Sequence, residues 1–168
     1  MNIGIVGCGN ISETYFECQN IFNNFKIIAC ADINKEAASN AASKYNVNAL
    51  SVDEILENNE IDLIINLTIP AAHKEIITKS LLNGKHCFSE KPLAMNFEEG
   101  LEIQKLADEK GLYVGCAPDT FLGAAGQRAR KLIEDNKIGK IVLGTFNLMS
   151  HGCLLYTSPS PRDQRGSR

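Results

Sequence analysis

A chain of 168 residues has room for one domain of ordinary size, and its 44% hydrophobic and 22% charged residues are typical of a globular protein. No apolar run approaches the roughly 20 residues of a membrane span, and no secretion signal opens the chain, so we expect a cytoplasmic protein with no membrane partner. A net charge of −3 with scattered lysines gives no basic face, so we expect no nucleic-acid partner.

Apolar runs and segments of helical periodicity alternate from the first residues onward. In the first helical segment this periodicity predicts an apolar stripe made of Ile11, Tyr15, Cys18 and Phe22. Ser51 with Glu54, and Asn96 with Glu99, are cap signatures that predict two helix starts, and Gly111 marks a helix end. The predicted strands are residues 2–6, 26–31, 62–67, 85–89 and 112–116, and the predicted helices are 11–22, 35–45, 52–56, 71–82, 96–110 and 123–136.

These β-α repeats predict an α/β fold with a doubly wound parallel sheet. Helical crossovers are needed to join parallel strands, and strands that are apolar on both sides need helices on both faces of the sheet. In such sheets ligands bind beyond the carboxyl ends of the strands. The residues that follow each strand are therefore the candidate site.

The pattern changes after residue 118, so we predict a first domain over residues 1–118. Residues 119–150 would form a connecting helix and a long strand, 140–149, that begins a second, incomplete α/β domain. The tail, 151–168, ends in twelve residues with three arginines and no apolar core residue. Its segment SPSPRDQRGSR resembles translated sequencing-adapter read-through, which favours a non-native tail; a disordered natural tail is the alternative.

The cysteines are predicted to be reduced and mostly buried. They never form a C-x-x-C pair, and several lie in apolar runs, so neither a disulfide framework nor a metal site is expected. The six are Cys8, Cys18, Cys30, Cys87, Cys116 and Cys153.

A glycine-rich turn follows the first predicted strand. Gly7 would allow a tight turn, and Gly9 would let the backbone approach a pyrophosphate that the following helix N-terminus attracts. Ser12 occupies the place of a third glycine and is small enough for close packing of helix on strand. The alternative is an ordinary strand-to-helix turn.

Asp32 ends the second predicted strand, twenty residues after Ser12. A carboxylate there can accept hydrogen bonds from both hydroxyls of an adenosine ribose, and it would repel a 2′-phosphate, so NAD is favoured over NADP. The alternative is that Asp32 caps the next helix.

Two further turns follow predicted strands. In the first turn, Pro70 begins a helix, and the turn from Thr68 can line the nicotinamide side of a cleft. A single histidine such as His73 is more typical of helix packing or of the protein surface than of a catalytic site. In the second, Lys91 stands between Glu90 and a proline, where its ammonium can bind a reacting hydroxyl or carbonyl. A solvated salt bridge is the alternative.

Several motifs in this order resemble one family. GCGNIS, the Asp32 strand end, TIPAAH, SEKPLAMN and GCAPDTFLGAAGQRARKLIEDNKIGKI together resemble the glucose-fructose oxidoreductase and inositol dehydrogenase family, Gfo/Idh/MocA, over about residues 2–150. The resemblance implies a Rossmann domain that binds NAD(P) and a second domain that holds the substrate, a sugar, cyclitol or polyol. It also implies a reaction in which a hydride moves between a carbinol carbon of that substrate and nicotinamide. It also implies a homo-oligomer.

The resemblance assigns roles to individual residues. It implies that Lys91 is catalytic and lies with Glu90 at the hydride-transfer centre. On the nicotinamide side it implies Thr68, Pro70 and His73. On the adenosine and pyrophosphate side it implies Gly7, Gly9, Asn10, Ile11 and Asp32.

One departure from the family pattern limits what this chain would do alone. The aspartate and histidine of the family's substrate domain are absent, and His151 is too early to replace that histidine. The sequence therefore predicts a fragment limited to nucleotide binding. The alternatives are a redox-inert sensor or regulatory protein of the same fold, and a complete small NAD-binding module with a natural basic tail.

Overall fold

A sheet of six parallel strands organises the N-terminal part of the chain. The computed structural model describes residues 1–118, 120–145 and 147. The strands are β1 (Asn2–Val6), β2 (Lys26–Ala31), β3 (Asn48–Leu50), β4 (Leu63–Asn66), β5 (His86–Ser89) and β6 (Val114–Cys116). Their order is β3-β2-β1-β4-β5-β6, and every neighbouring pair is parallel. The predicted fold class is confirmed.

Helices cover both faces of this sheet, as the predicted doubly wound fold requires. They are α1 (Ser12–Cys18), α2 (Lys35–Tyr45), α3 (Val52–Glu57), α4 (His73–Leu82) and α5 (Phe97–Lys110). One core cluster takes its helical residues from α1 and α2, and the other takes them from α3, α4 and α5. Each fully buried isoleucine or phenylalanine in them contributes about 1.5–3 kcal/mol.

The first helix is shorter than predicted and turns another face to the sheet. It ends at Cys18, and Ser12 and Phe16 are its buried residues, whereas Ile11 and Phe22 are 45% and 52% exposed. The predicted helix 11–22 therefore ends four residues early, and Phe22, the last member of the predicted stripe, lies outside it. An apolar stripe can face a core or a cavity, and periodicity does not distinguish them. Here Ile11, Tyr15 and Cys18 line a cavity.

Helix starts follow the predicted caps. Ser51 and Glu54 form a reciprocal capping box at α3, and the Asn96 side chain accepts the Glu99 N–H at α5. Gly111 ends α5 in the left-handed conformation. Because side chains satisfy the first amides of these helices, their N-termini are fixed without a ligand.

The second unit of the chain, Ala124–Arg168, holds one helix among its described residues, α6 (Ala124–Glu134). The predicted strand 140–149 is wrong where it is described, because residues 140–145 and 147 form no strand. A strand needs a neighbour to pair its backbone groups, and no strand is described in this unit. The remainder of that prediction, Cys153 and the predicted tail lie outside the described residues.

None of the described helices combines the length and the apolar composition that crossing a membrane requires.

Candidate functional site

The carboxyl ends of the strands in Met1–Gly123 open onto two cavities. The aspartate cavity, about 500 Å³, is lined by Gly7, Gly9, Asp32, Ile33, Leu67, Thr68 and their neighbours. The lysine cavity, about 640 Å³, is lined by Ile11, Tyr15, Leu67, Thr68, Pro70, Glu90 and Lys91, among others. Both volumes lie in the range of about 300–1,000 Å³ that is typical of ligand sites. The two cavities share Leu67 and Thr68, at the point where the sheet passes from β1 to β4.

Gly7 makes the tight turn that ends β1. Its φ is +102°, and a Cβ added there would lie 2.6 Å from the carbonyl carbon and oxygen of Leu67. Its N–H donates to the Ala31 carbonyl at 2.8 Å, which joins the turn to β2. Only glycine fits both the conformation and the space.

Gly9 differs from Gly7, because a Cβ added to it would meet no protein atom within 4 Å. The turn therefore leaves open space above its backbone. Next to this space α1 begins with Ile11 as its N-cap, a residue whose side chain accepts no hydrogen bond. Open space and uncapped amides are the features that let a backbone bind a phosphate group. These residues fit a dinucleotide pyrophosphate.

Ser12, in the place of a third glycine, is buried and makes its own hydrogen bond. Its hydroxyl donates to the Gly9 carbonyl at 2.7 Å, and its N–H donates to the same oxygen at 3.0 Å. The serine therefore packs closely, as predicted, and also closes the turn. Asn10 is exposed and borders a separate shallow cavity with Cys8 and Gly9.

Asp32 connects the glycine-rich turn to the end of β2. One carboxylate oxygen accepts the Cys8 N–H at 2.7 Å, and the other accepts the Asn34 N–H at 2.8 Å. The alternative in which Asp32 caps α2 is wrong, because the Asn34 side chain makes that cap with Glu36 and Ala37. Each carboxylate oxygen has a further lone pair that can accept a hydrogen bond, and Asp32 lines the aspartate cavity.

Thr68 is held by a buried asparagine that the sequence did not single out. Asn66, at the end of β4, is 0% exposed, and its side-chain oxygen accepts the Thr68 hydroxyl at 2.7 Å and the Thr68 N–H at 3.2 Å. Its amide group donates to the Ser89 hydroxyl at 3.2 Å. Asn66 thus connects the turn after β4 with the end of β5. An isolated asparagine in an apolar run was the one signal available in the sequence.

His73 lies behind the cavities and lines neither of them. It is 0% exposed, and its ring nitrogens lie 2.5 Å from the Pro92 carbonyl oxygen and 2.9 Å from the Thr68 carbonyl oxygen. The ring therefore connects the two turns that border the lysine cavity. This geometry favours the helix-packing alternative, and a cofactor contact by His73 stays a prediction.

Glu90 and Lys91 both line the lysine cavity. The Lys91 side chain is 68% exposed, and its Nζ lies 3.9 Å from Glu90 Oε2, too far for a strong ion pair. The other carboxylate oxygen of Glu90 accepts the Tyr15 hydroxyl at 2.8 Å. The sequence placed Tyr15 only on an apolar stripe, because its hydrogen-bond partner is 75 residues away in sequence. An exposed ammonium beside a hydrogen-bonded carboxylate can bind a substrate oxygen and exchange a proton with it.

A family model and known proteins match this chain. The model GFO_IDH_MocA, described as an oxidoreductase family with an NAD-binding Rossmann fold, matches residues 1–117. The 2,7-anhydro-N-acetylneuraminate hydratase of Escherichia coli (strain K12) is 32% identical over 145 residues, which are 84% of this chain and 38% of that protein. The scyllo-inositol 2-dehydrogenase (NAD(+)) of Bacillus subtilis (strain 168) is 28% identical over 141 residues, 81% of this chain and 41% of that protein.

A solved structure agrees with the fold. The WlbA dehydrogenase from Bordetella pertussis, solved with NADH and UDP-GlcNAcA, has a TM-score of 0.77 and 26% identity. The match covers 83% of this chain and 41% of that one. The chain therefore spans about two fifths of the length of the proteins that it matches.

Proposed function

Because this chain belongs to the Gfo/Idh/MocA oxidoreductase family with an NAD-binding Rossmann fold, we propose that it is the nucleotide-binding part of an NAD-dependent dehydrogenase. The proposed reaction moves a hydride between nicotinamide and a carbinol carbon of a sugar, cyclitol or related polyol. The scyllo-inositol dehydrogenase among its relatives supports this substrate class. The observation that carries the proposal is the carboxylate of Asp32 beside the open backbone of Gly9.

The cofactor preference is proposed from Asp32. Its carboxylate would accept the ribose hydroxyls of NAD, and a 2′-phosphate would meet a negative charge that the Cys8 and Asn34 amides hold in place. Among the described residues that line the aspartate cavity, Lys79 is the only lysine or arginine, and it pairs with Glu75 at 2.8 Å. These contacts support NAD over NADP.

Lys91 is proposed to handle the proton of the reacting carbinol. Bound NAD⁺ would supply the hydride acceptor. The Lys91 Nζ would hydrogen-bond the carbinol oxygen and take part in moving its proton, with Glu90 Oε2 3.9 Å from the ammonium. We propose that this chain alone binds nucleotide without turning over a substrate.

Titration of the chain with NADH and NADPH tests the proposed function. We expect saturable binding with about tenfold higher affinity for NADH than for NADPH. Such a preference corresponds to a difference in binding free energy of only ~1.4 kcal/mol. Asp32→Ala should reduce this preference to about threefold or less, since it removes both the ribose acceptor and the charge. The matched control Asp108→Ala, an exposed carboxylate on α5, should leave it unchanged.

Two results would count against the proposal. Equal affinity of the unsubstituted chain for NADH and NADPH would exclude the proposed role of Asp32 in cofactor preference. An absence of binding by a sample that circular dichroism shows to be folded would reject nucleotide binding by this chain.

A further inference from the structure

The carboxylate of Glu90 is held at both of its oxygens. Oε1 accepts the Tyr15 hydroxyl at 2.8 Å, and Oε2 accepts the backbone N–H of Lys91 at 3.2 Å. The Glu90 backbone is held as well, because its N–H donates to the Asn66 carbonyl at the end of β4 at 2.9 Å. Groups other than the Lys91 ammonium therefore set the position of this carboxylate.

The Lys91 ammonium lies next to this carboxylate without closing on it. Its Nζ is 3.9 Å from Glu90 Oε2, whereas a direct hydrogen bond between an ammonium and a carboxylate spans about 2.7–2.9 Å. The side chain of Lys91 is 68% exposed and that of Glu90 is 18% exposed, so the lysine is the partner with room to move. The ammonium thus keeps its hydrogen-bond donors for a molecule in the lysine cavity.

Tyr15 reaches Glu90 from the first helix. It lies in α1 and lines the lysine cavity together with Glu90 and Lys91. Its ring centroid is 6.4 Å from that of Phe88 in β5, and this aromatic contact supports the orientation from which the hydroxyl donates. A hydrogen bond to a charged carboxylate stabilises more than an exposed ion pair does. The carboxylate therefore stays with the tyrosine and not with the ammonium.

We propose that Tyr15 is a positioning residue that keeps Glu90 from closing on the Lys91 ammonium, so that the ammonium stays available to a substrate oxygen. This inference rests on the proposed function, in which Lys91 Nζ hydrogen-bonds the reacting carbinol oxygen.

Loss of the tyrosine hydroxyl would change the partner of the carboxylate. Glu90 Oε1 would lose its donor in a place where the side chain is 18% exposed, so water would replace that donor only in part. The flexible Lys91 side chain carries a cation within 4 Å of the same carboxylate. The two charges would form a direct ion pair, and fewer ammonium donors would remain for a substrate.

Trace labelling of the full chain with acetic anhydride, followed by peptide mass spectrometry, measures how reactive the Lys91 amine is. The labelling rate at Lys91 is divided by the rate at Lys105, an exposed lysine of α5 that serves as the internal reference. In Tyr15→Phe we expect this ratio to fall by about threefold, because an amine in a direct ion pair reacts more slowly than a free one. Tyr113→Phe removes the hydroxyl of a tyrosine that is 80% exposed, and it should leave the ratio unchanged.

Substitution of Glu90 shows whether the effect passes through its carboxylate. Glu90→Gln removes the charge that would pair with the ammonium, so Tyr15→Phe should leave the ratio unchanged when it is made in this background. Glu90→Gln alone should keep the ratio within about 1.5-fold of the unsubstituted chain, because the carboxylate is already held apart from the ammonium. A merely structural role of Tyr15 would change the ratio in both backgrounds.

Three results would overturn the inference. The first is an unchanged or higher ratio in Tyr15→Phe when circular dichroism shows that the variant is folded. The second is a fall that persists in the Glu90→Gln background. The third is a rise of about threefold in Glu90→Gln alone, which would mean that the two charges already pair, whether or not a tyrosine variant folds. The labelling needs no nucleotide, so a failure of the chain to bind NADH would reject the proposed function separately.

Discussion

Gly7 and Gly9 are glycine for different physical reasons. Gly7 is required by the fold itself, because its φ is positive and the Leu67 carbonyl occupies the space of a Cβ. Nothing in the described protein requires Gly9, since a Cβ there would point into open space. The sequence motif predicts these separate roles, and two alanine substitutions should test them.

Gly7→Ala is expected to destabilise the fold. The added methyl group would overlap the Leu67 carbonyl, and the left-handed conformation is strained for alanine, so we expect a loss of about 2 kcal/mol or more. Urea denaturation followed by circular dichroism measures this change. An unchanged denaturation midpoint would mean that the turn is looser than the structure indicates.

Gly9→Ala is expected to spare stability and to weaken NADH binding. The free energy of unfolding should change by about 0.5 kcal/mol or less, because the methyl group meets no protein atom. NADH affinity should fall by about tenfold, because the methyl group fills the space left for the pyrophosphate. Calorimetry of both variants provides the comparison, and tight NADH binding by Gly9→Ala would argue against a pyrophosphate at this turn.

Residues of the candidate site were predictable where their position along the chain decides their role. Gly7, Asp32 and Lys91 each follow a strand, and parallel strands bring their carboxyl ends to one edge. Asn66 and Tyr15 were not identified, because their roles depend on partners 23 and 75 residues away, Ser89 and Glu90. Long-range hydrogen bonds leave no periodic signal in a single sequence.

Among whole elements, the sequence predicted those with strong local signals. β1, β2 and α2 have the predicted bounds, because apolar runs and a segment of helical periodicity mark them. β3 was missed, since it has three residues, of which two are exposed, and its apolar run is too short to be recognised. It forms because it pairs with β2, and this tertiary contact leaves no signal in the local sequence.

Asn96→Ala is expected to destabilise the protein through the start of α5. The Asn96 side chain accepts the Glu99 N–H at 2.9 Å, and alanine would leave that amide without its cap, at a cost of about 1 kcal/mol. Gln104→Ala, an exposed substitution within the same helix, is the control and should change stability by less than about 0.5 kcal/mol. Thermal unfolding of both variants measures the difference in stability. Equal melting temperatures of the two variants would mean that the Asn96 cap does not stabilise the protein.

For the whole molecule, the structure divides the chain at Gly123, and every described residue that lines the two cavities lies before that point. A chain of residues 1–123 is therefore expected to fold cooperatively and to bind NADH within about threefold of the affinity of the full chain. Denaturation and calorimetry of the two chains test this. A much weaker affinity in the shorter chain would mean that residues after Gly123 contribute to binding.

Leu67 and Thr68 line both the aspartate cavity and the lysine cavity. A ligand that occupied both cavities would pass these two residues, so its two halves would act as a bivalent ligand joined by a short tether. Once one half is bound, the other is held near its own cavity at a high effective concentration. A linked molecule would therefore bind more tightly than its separate halves, and a dinucleotide would gain affinity that neither mononucleotide has alone.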